Sequence, residues 1–312
     1  MEAIAAKESS GVTSASSLPS RPLTDWPEKE NGPTGNGVHD PMARNGHRRL
    51  SDGESRRILG IEFFSGHAAA AVERMRGGGL LVVPAAPGLC TLPSDKGYRE
   101  ALLEADLAIT DSAFMVLVWN LLQGDSVGRL SGLEYFSHLV RDPGFRQEGA
   151  TLYVMASEIS ARRNVAWLQK QGIPVHPEQV YVAPLYGDDV NDPLLLERVA
   201  ALRPNHVLIT VGGGVQERLG LYIKRSLDYL PAIHCIGAAI AFRSGDQVYI
   251  SDLADRLALG WLIRCLWRPR SYLPRYWAAR RLARLLFRYR TELPPLLTPE
   301  SAAARESSAS IA

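Results

Sequence analysis

From Ile58 onward, short apolar runs alternate with longer stretches in which apolar positions return every third or fourth residue. The runs "ILGIEFF", "LLVVP", "DLAIT", "ATLYVMA", "QVYVAPLY", "HVLITVG" and "AIHCIGAAIAF" predict strands. Between them, "GHAAAAVERMRGG", "KGYREALLEA", "SAFMVLVWNLLQG", "LEYFSHLVRD", "ISARRNVAWLQKQG", "DPLLLERVAAL" and "VQERLGLYIKRSLDYL" predict helices. The strand runs lack polar alternation, so both faces of the sheet are expected to be covered. Strands separated by helices then imply a mostly parallel sheet. The expectation is an α/β, Rossmann-like domain with helices on both faces and a helical C-terminal appendage.

The pattern fades at both ends. Residues 1–56 are rich in Ser, Gly, Pro, Asn and charge, without apolar periodicity, and read as a disordered arm. Residues 57–250 form the core, 251–292 a basic helical appendage, and 293–312 a second disordered tail. The first residues are mixed polar with no secretory pattern, and no apolar run approaches the roughly 18–20 residues of a membrane span. A cytoplasmic protein, at most peripheral to a membrane, is expected.

Composition changes this picture in one respect. The 312 residues are 46% hydrophobic and carry a net charge of +2, so the molecule as a whole is no polyelectrolyte. The charge is nevertheless segregated: ten arginines and no acidic residue lie between Asp255 and Glu292. Cys90, Cys235 and Cys265 are widely scattered, consistent with buried thiols in a reducing compartment. The histidines are dispersed too, without the spacing of a zinc site.

Ligands of open α/β sheets sit beyond the carboxyl ends of strands, and two such ends carry candidate chemistry. In "AITDSAF", Asp111 follows a strand directly. It is either the cap of the next helix or a general base. In "ITVGGGVQERLG", Gly212, Gly213 and Gly214 form a strand-to-helix turn that lets a phosphate approach backbone amides. Gln216 and Glu217 follow in the first helical turn, either to bond a sugar or base or, for Glu217, to complement the helix dipole. Neither a GxGxxG turn nor a P-loop is present, which argues against an NAD-dependent enzyme. Arg129, in "GRLSGLE", is a candidate phosphate contact or a surface ion pair.

The order of these pieces resembles the WecG/TagA/CpsF family of glycosyltransferases, from about Ile58 to Tyr289. The resemblance rests on strand–Asp111, then Arg129 and Gly132, then Gly212, Gly214, Gln216 and Glu217. It ends on Trp261, Leu262, Arg264, Pro269, Arg270, Arg275 and Tyr276. Departures are Ser112 for a glycine, Glu134 for an aspartate, Ala86 for an asparagine, Gly214 for a proline and Gly260 for a glutamate. Ser65 stands near the family's threonine. The resemblance implies inverting transfer of an N-acetylmannosamine-type sugar from a UDP-sugar donor to a polyprenyl-diphosphate-linked acceptor. No obligatory metal and no cofactor are implied. With it, Asp111 is favoured as base. Gly212, Gly213, Gly214 and Gln216 would line the donor site, and Arg264, Arg270 and Arg275 would neutralise the leaving diphosphate. The alternative is a non-catalytic nucleotide-sugar-binding or scaffold homologue.

The basic segment has three readings. As a helix from Arg275, it gathers Ala278, Leu282, Leu285, Leu286 and Tyr289 on one side, and Arg280, Arg281, Arg284 and Arg288 on the other. Such a helix suits the inner surface of a plasma membrane, which is the favoured use. Packing on the core or on a second subunit is the second. Nucleic acid is the least favoured, because no other part of the chain shares the basic bias.

Overall fold

A computed structural model describes residues 55–187 and 189–297. Its chain opens on a hairpin of β1 (Ser55–Ile58) and β2 (Ile61–Phe64). It continues through α1 (Ala68–Met75), β3 (Gly79–Val82), α2 (Ala86–Leu89), α3 (Lys96–Leu103) and β4 (Leu107–Ile109). Next come α4 (Ala113–Gln123), α5 (Gly132–Leu139), α6 (Pro143–Arg146), β5 (Thr151–Met155) and α7 (Glu158–Lys170). β6 (Val180–Val182), α8 (Pro193–Leu202), β7 (His206–Ile209), α9 (Val215–Ser226) and β8 (Ala232–Cys235) complete the sheet. Then follow α10 (Ala241–Ser244), α11 (Asp252–Arg256), α12 (Gly260–Trp267), α13 (Pro269–Ala279) and α14 (Arg281–Tyr289).

The strands stand in the order β1-β2-β4-β3-β8-β7-β5-β6, parallel throughout except for the hairpin. Strands β3, β4, β5, β7 and β8 are buried along their whole length, as runs without polar alternation require. The expected α/β architecture with a helical C-terminal appendage is therefore present. Two expected strands differ: "AIHCIGAAIAF" is strand only over Ala232–Cys235, and its Ala241 and Phe242 open α10. "ILGIEFF" is not continuous, because Leu59 (φ 50°) and Gly60 (φ 79°) turn the chain back on itself and pair Ile58 with Ile61. Two successive positive φ values suit the twist of a tight hairpin.

The hairpin also ties down the end of the chain. Leu59 N donates to Arg290 O at 2.7 Å and Gly60 N to Thr291 O at 2.9 Å. A Cβ on Gly60 would lie 2.5 Å from Cβ of Leu293, so glycine is required by close approach as well as by φ. Further on, Leu297 N donates to Pro93 O at 2.7 Å. Residues 1–54 and 298–312, which include most of the expected arm and tail, lie outside the described residues; Ser55 and Arg56 already belong to β1.

The C-terminal helix departs from its favoured use. The helix expected from Arg275 is two, α13 ending at Ala279 and α14 opening at Arg281, and Ala278 is exposed. Leu282 and Leu286 are wholly buried in the main core, with Leu285 and Tyr289 packed partly against it. Helix α14 lies along α4, whose Met115, Val116 and Trp119 share that core. The leucine face is thus consumed by the fold and is not available to a bilayer. Arg280, Arg281, Arg284 and Arg288 point outward. Most exposed apolar residues of the appendage lie upstream instead, on or just beside α11–α13: Leu253, Leu257, Trp261, Leu266, Leu273 and Trp277; on α14 Phe287 is exposed.

Candidate active site

The carboxyl end of β4 is shaped by Thr110, which is fully buried. Its hydroxyl donates to Gly128 O at 2.8 Å and accepts from Leu130 N at 2.9 Å, drawing the 128–130 segment back to the strand end. Arg129 is thereby brought against Asp111, donating from Nε to the Asp111 carbonyl at 2.8 Å. Ser112, not Asp111, caps α4, accepting from Met115 N at 3.2 Å. The capping alternative for Asp111 at that helix is therefore removed. Its Oδ1 instead accepts from Gly132 N, the first residue of α5, at 2.9 Å, and Arg129 Nη2 lies 3.9 Å from the same oxygen. Oδ2 of Asp111 has no hydrogen-bond partner among the described residues. One oxygen is fixed and the other is open. Gly132 is a glycine for steric reasons: a Cβ there would lie 2.9 Å from Cγ1 of Val83.

Arg129 is not a free phosphate contact in this arrangement. Nη1 donates to Asp255 O at 2.6 Å and Nη2 to Asp255 Oδ1 at 2.9 Å. Ser131, which caps α5, donates its hydroxyl to Asp255 Oδ2. Asp255, on α11, thus latches the appendage onto the loop that orients Asp111. Sequence reasoning missed it, because no local spacing marks an acid whose partners lie more than a hundred residues away. At the rim, the carboxyl of Glu134 is raised, first by loss of solvent and then by the nearby Asp255, with Arg129 opposing.

The second strand end behaves differently. Gly212 and Gly213 are exposed, and a Cβ on either would meet nothing within 4 Å. Their N–H groups have no partner among the described residues. They offer donors at the start of α9, where the helix dipole is positive. Gly214 has φ 90°, which a side chain rarely tolerates. Gln216 and Glu217, by contrast, are buried and spend their polar atoms within the protein. Glu217 Oε2 accepts from Gly214 N at 2.6 Å, and its Oε1 from Gln216 Nε2 at 2.9 Å. Gln216 Oε1 accepts from Gly237 N, just past β8, at 2.7 Å. These two residues brace the glycine loop against the end of β8. Burial pushes the Glu217 carboxyl up to about 7, against the bonds from Gln216 and Gly214 and the charge of Arg218.

The remaining expected contacts are dispersed. Ser65 sits half-buried in the turn between β2 and α1. Arg264 stacks its guanidinium 4.7 Å above the Phe242 ring. Phe242 packs with Leu133, next to Gly132, so Arg264 adjoins the Asp111 side of the site. Arg270 is exposed on α13, and Arg275 occupies the same helix with its side chain outside the described set. Ala86 opens α2 as a buried core residue, so no polar side chain stands there. A cavity of about 660 Å³ lies at the opposite pole, where β3, β7 and β8 begin; it is lined by Arg76, Asp142 and His206 and contains none of the site residues above.

A carboxylate with one open oxygen therefore stands at the end of β4, and open amides stand at the end of β7. At roughly 4.8 Å per strand, these ends are separated by about 14 Å, the scale of a nucleotide-sugar. The family model described as "Glycosyl transferase WecG/TagA/CpsF family" matches residues 56–294. The chain belongs to the WecG/TagA/CpsF family of glycosyltransferases. No curated protein matches it. Membership makes the protein a glycosyltransferase of cell-envelope polysaccharide synthesis. No described helix is long and apolar enough to cross a membrane.

Proposed function

We propose that the protein transfers an N-acetylmannosamine-type sugar from a UDP-sugar to a polyprenyl-diphosphate-linked acceptor, with inversion and without an obligatory metal. The observation that carries the reading is the division of Asp111 into a fixed Oδ1 and an open Oδ2, within the span of a donor from the open Gly212 and Gly213 amides. The acceptor hydroxyl oxygen attacks the anomeric carbon while its proton passes to Asp111 Oδ2. The bond from that carbon to the diphosphate breaks on the opposite face, and UDP leaves with the electron pair. Its developing charge meets the amides of the glycine loop, and Arg264, Arg270 and Arg275 from the appendage supply the cations. Gln216 and Glu217 act in this scheme by bracing the loop, and Arg129 by orienting the Asp111 backbone.

The acceptor lipid calls for work at a bilayer surface, and a peripheral position on the inner face of the plasma membrane fits it. The exposed leucines and tryptophans of α11–α13, interleaved with arginines, support that position. The test is purified protein with a panel of UDP-sugars and a short polyprenyl-diphosphate acceptor, with and without EDTA. Turnover with an N-acetylmannosamine-type donor that EDTA leaves unchanged is expected. Binding of UDP-sugars without turnover across the whole panel would overturn the reading in favour of a scaffold.

A further inference from the structure

Helix α4 carries an outward apolar stripe that neither the fold nor the proposed chemistry uses. Its inner side, Met115, Val116 and Trp119, is buried. Its outer side presents Phe114, Leu117 and Leu121, which are 38%, 68% and 83% exposed. Their spacing of three and four residues puts them on one line along the helix. At 1.5 Å per residue the line is about 10 Å long. The stripe starts three residues past Asp111 and runs away from it.

The helix packed along α4 determines what the stripe can meet. Helix α14 turns its leucines inward, and Arg280 before it and Arg281, Arg284 and Arg288 along it face solvent, with Phe287 66% exposed among them. No acidic residue interrupts this charge between Asp255 and Glu292. A second copy of the chain seated symmetrically here would bring like charges together. An anionic lipid surface has the complementary arrangement, with hydrocarbon for the stripe and phosphate headgroups for the arginines.

We propose that the outer face of α4 enters the bilayer beside the arginines of α14, as a membrane contact separate from α11–α13. The contact orients the molecule so that Asp111, at the start of α4, faces the lipid surface where a lipid-linked acceptor would present its sugar. The inference rests on the lipid-linked acceptor of the proposed function, but its test does not require turnover.

The experiment measures binding of the full chain to phosphatidylglycerol and phosphatidylcholine vesicles that contain no polyprenyl lipid. It compares wild type with Leu117→Gln/Leu121→Gln and with Arg284→Glu/Arg288→Glu. Both pairs are exposed, and the melting temperature of each variant checks that it is folded. The leucine variant should bind phosphatidylglycerol vesicles about tenfold or more weakly, because two inserted side chains are lost. The arginine variant should show a weaker preference for the anionic lipid, the remainder coming from α11–α13. Wild-type binding by the leucine variant overturns the proposal. So does a leucine variant whose vesicle binding is unchanged while a wild-type dimer becomes a monomer, because the stripe would then serve a second copy.

Discussion

Replacing Gly213 by alanine adds one methyl group at a point where the fold has room for it. The new Cβ meets no atom within 4 Å, and the residue lies outside the positive-φ set that includes Gly214. On these grounds the change should stabilise the protein by about 0.4–1 kcal/mol, by restricting the unfolded chain. For a domain of this size that corresponds to roughly 1–4 °C in melting temperature. In the proposed donor site, the same methyl stands where the diphosphate approaches the amides of Gly212 and Gly213. Losing one hydrogen bond to a charged group costs about 1.5–3 kcal/mol, or about 10- to 150-fold in kcat/KM for the UDP-sugar. Stability and activity should therefore move in opposite directions. Gly214→Ala is the control, since φ 90° makes a side chain costly by about 1–2 kcal/mol and both quantities should fall together. Differential scanning fluorimetry and steady-state kinetics suffice. If Gly212→Ala and Gly213→Ala both raise the melting temperature and leave kcat/KM unchanged, the loop does not hold the donor.

The remaining predictions concern the braces around the site. Glu217 holds its proton in the folded state up to about 7 against an ordinary 4.5, so its contribution to stability is fully present below pH 4.5 and is lost as pH rises through 7. The difference in unfolding free energy between wild type and Glu217→Gln should fall by about 3 kcal/mol over that window; urea titrations giving a flat difference would refute the burial argument. Asp255→Ala leaves Arg129 and Ser131 without their shared acceptor, at a cost of about 1–3 kcal/mol. Limited proteolysis should cut the variant faster within α11–α13, and an unchanged pattern would show that the latch does not hold the appendage. Leu286→Ala should cost about 2–5 kcal/mol as a buried deletion, whereas a melting temperature within a degree of wild type would mean that α14 is not docked on the core.

Much of the sheet was legible because its signal is local: a fully buried strand needs an unbroken apolar run, and "LLVVP", "ATLYVMA" and "HVLITVG" supply one. The hairpin was not, since Leu59-Gly60 lacks the polar turn chemistry that usually marks a reversal. For α14, the leucines lie on the face that the period gives them, and the core covers that face. An amphipathic helix shows which face is apolar, while the packing of α4 decides whether protein or lipid covers it. The site divides in the same way. Asp111 and the glycine turn are visible as strand-end chemistry, but the pairing of Arg129 with Asp255 is made by the tertiary fold. Gln216 and Glu217 read as ligand contacts because a polar pair after a glycine turn usually faces outward; here the pair turns in to satisfy Gly237 and Gly214.

Asp111 is proposed to take the acceptor proton, and Asp111→Asn tests that role with little change of shape. The asparagine Oδ1 can still accept from Gly132 N, so the fold and UDP binding should be retained. Turnover of UDP-sugar with a short polyprenyl-diphosphate acceptor should fall by about 10²–10⁴, the usual worth of a general base, at an unchanged dissociation constant for UDP. Undiminished turnover by a folded Asp111→Asn protein would show that Asp111 is not the base.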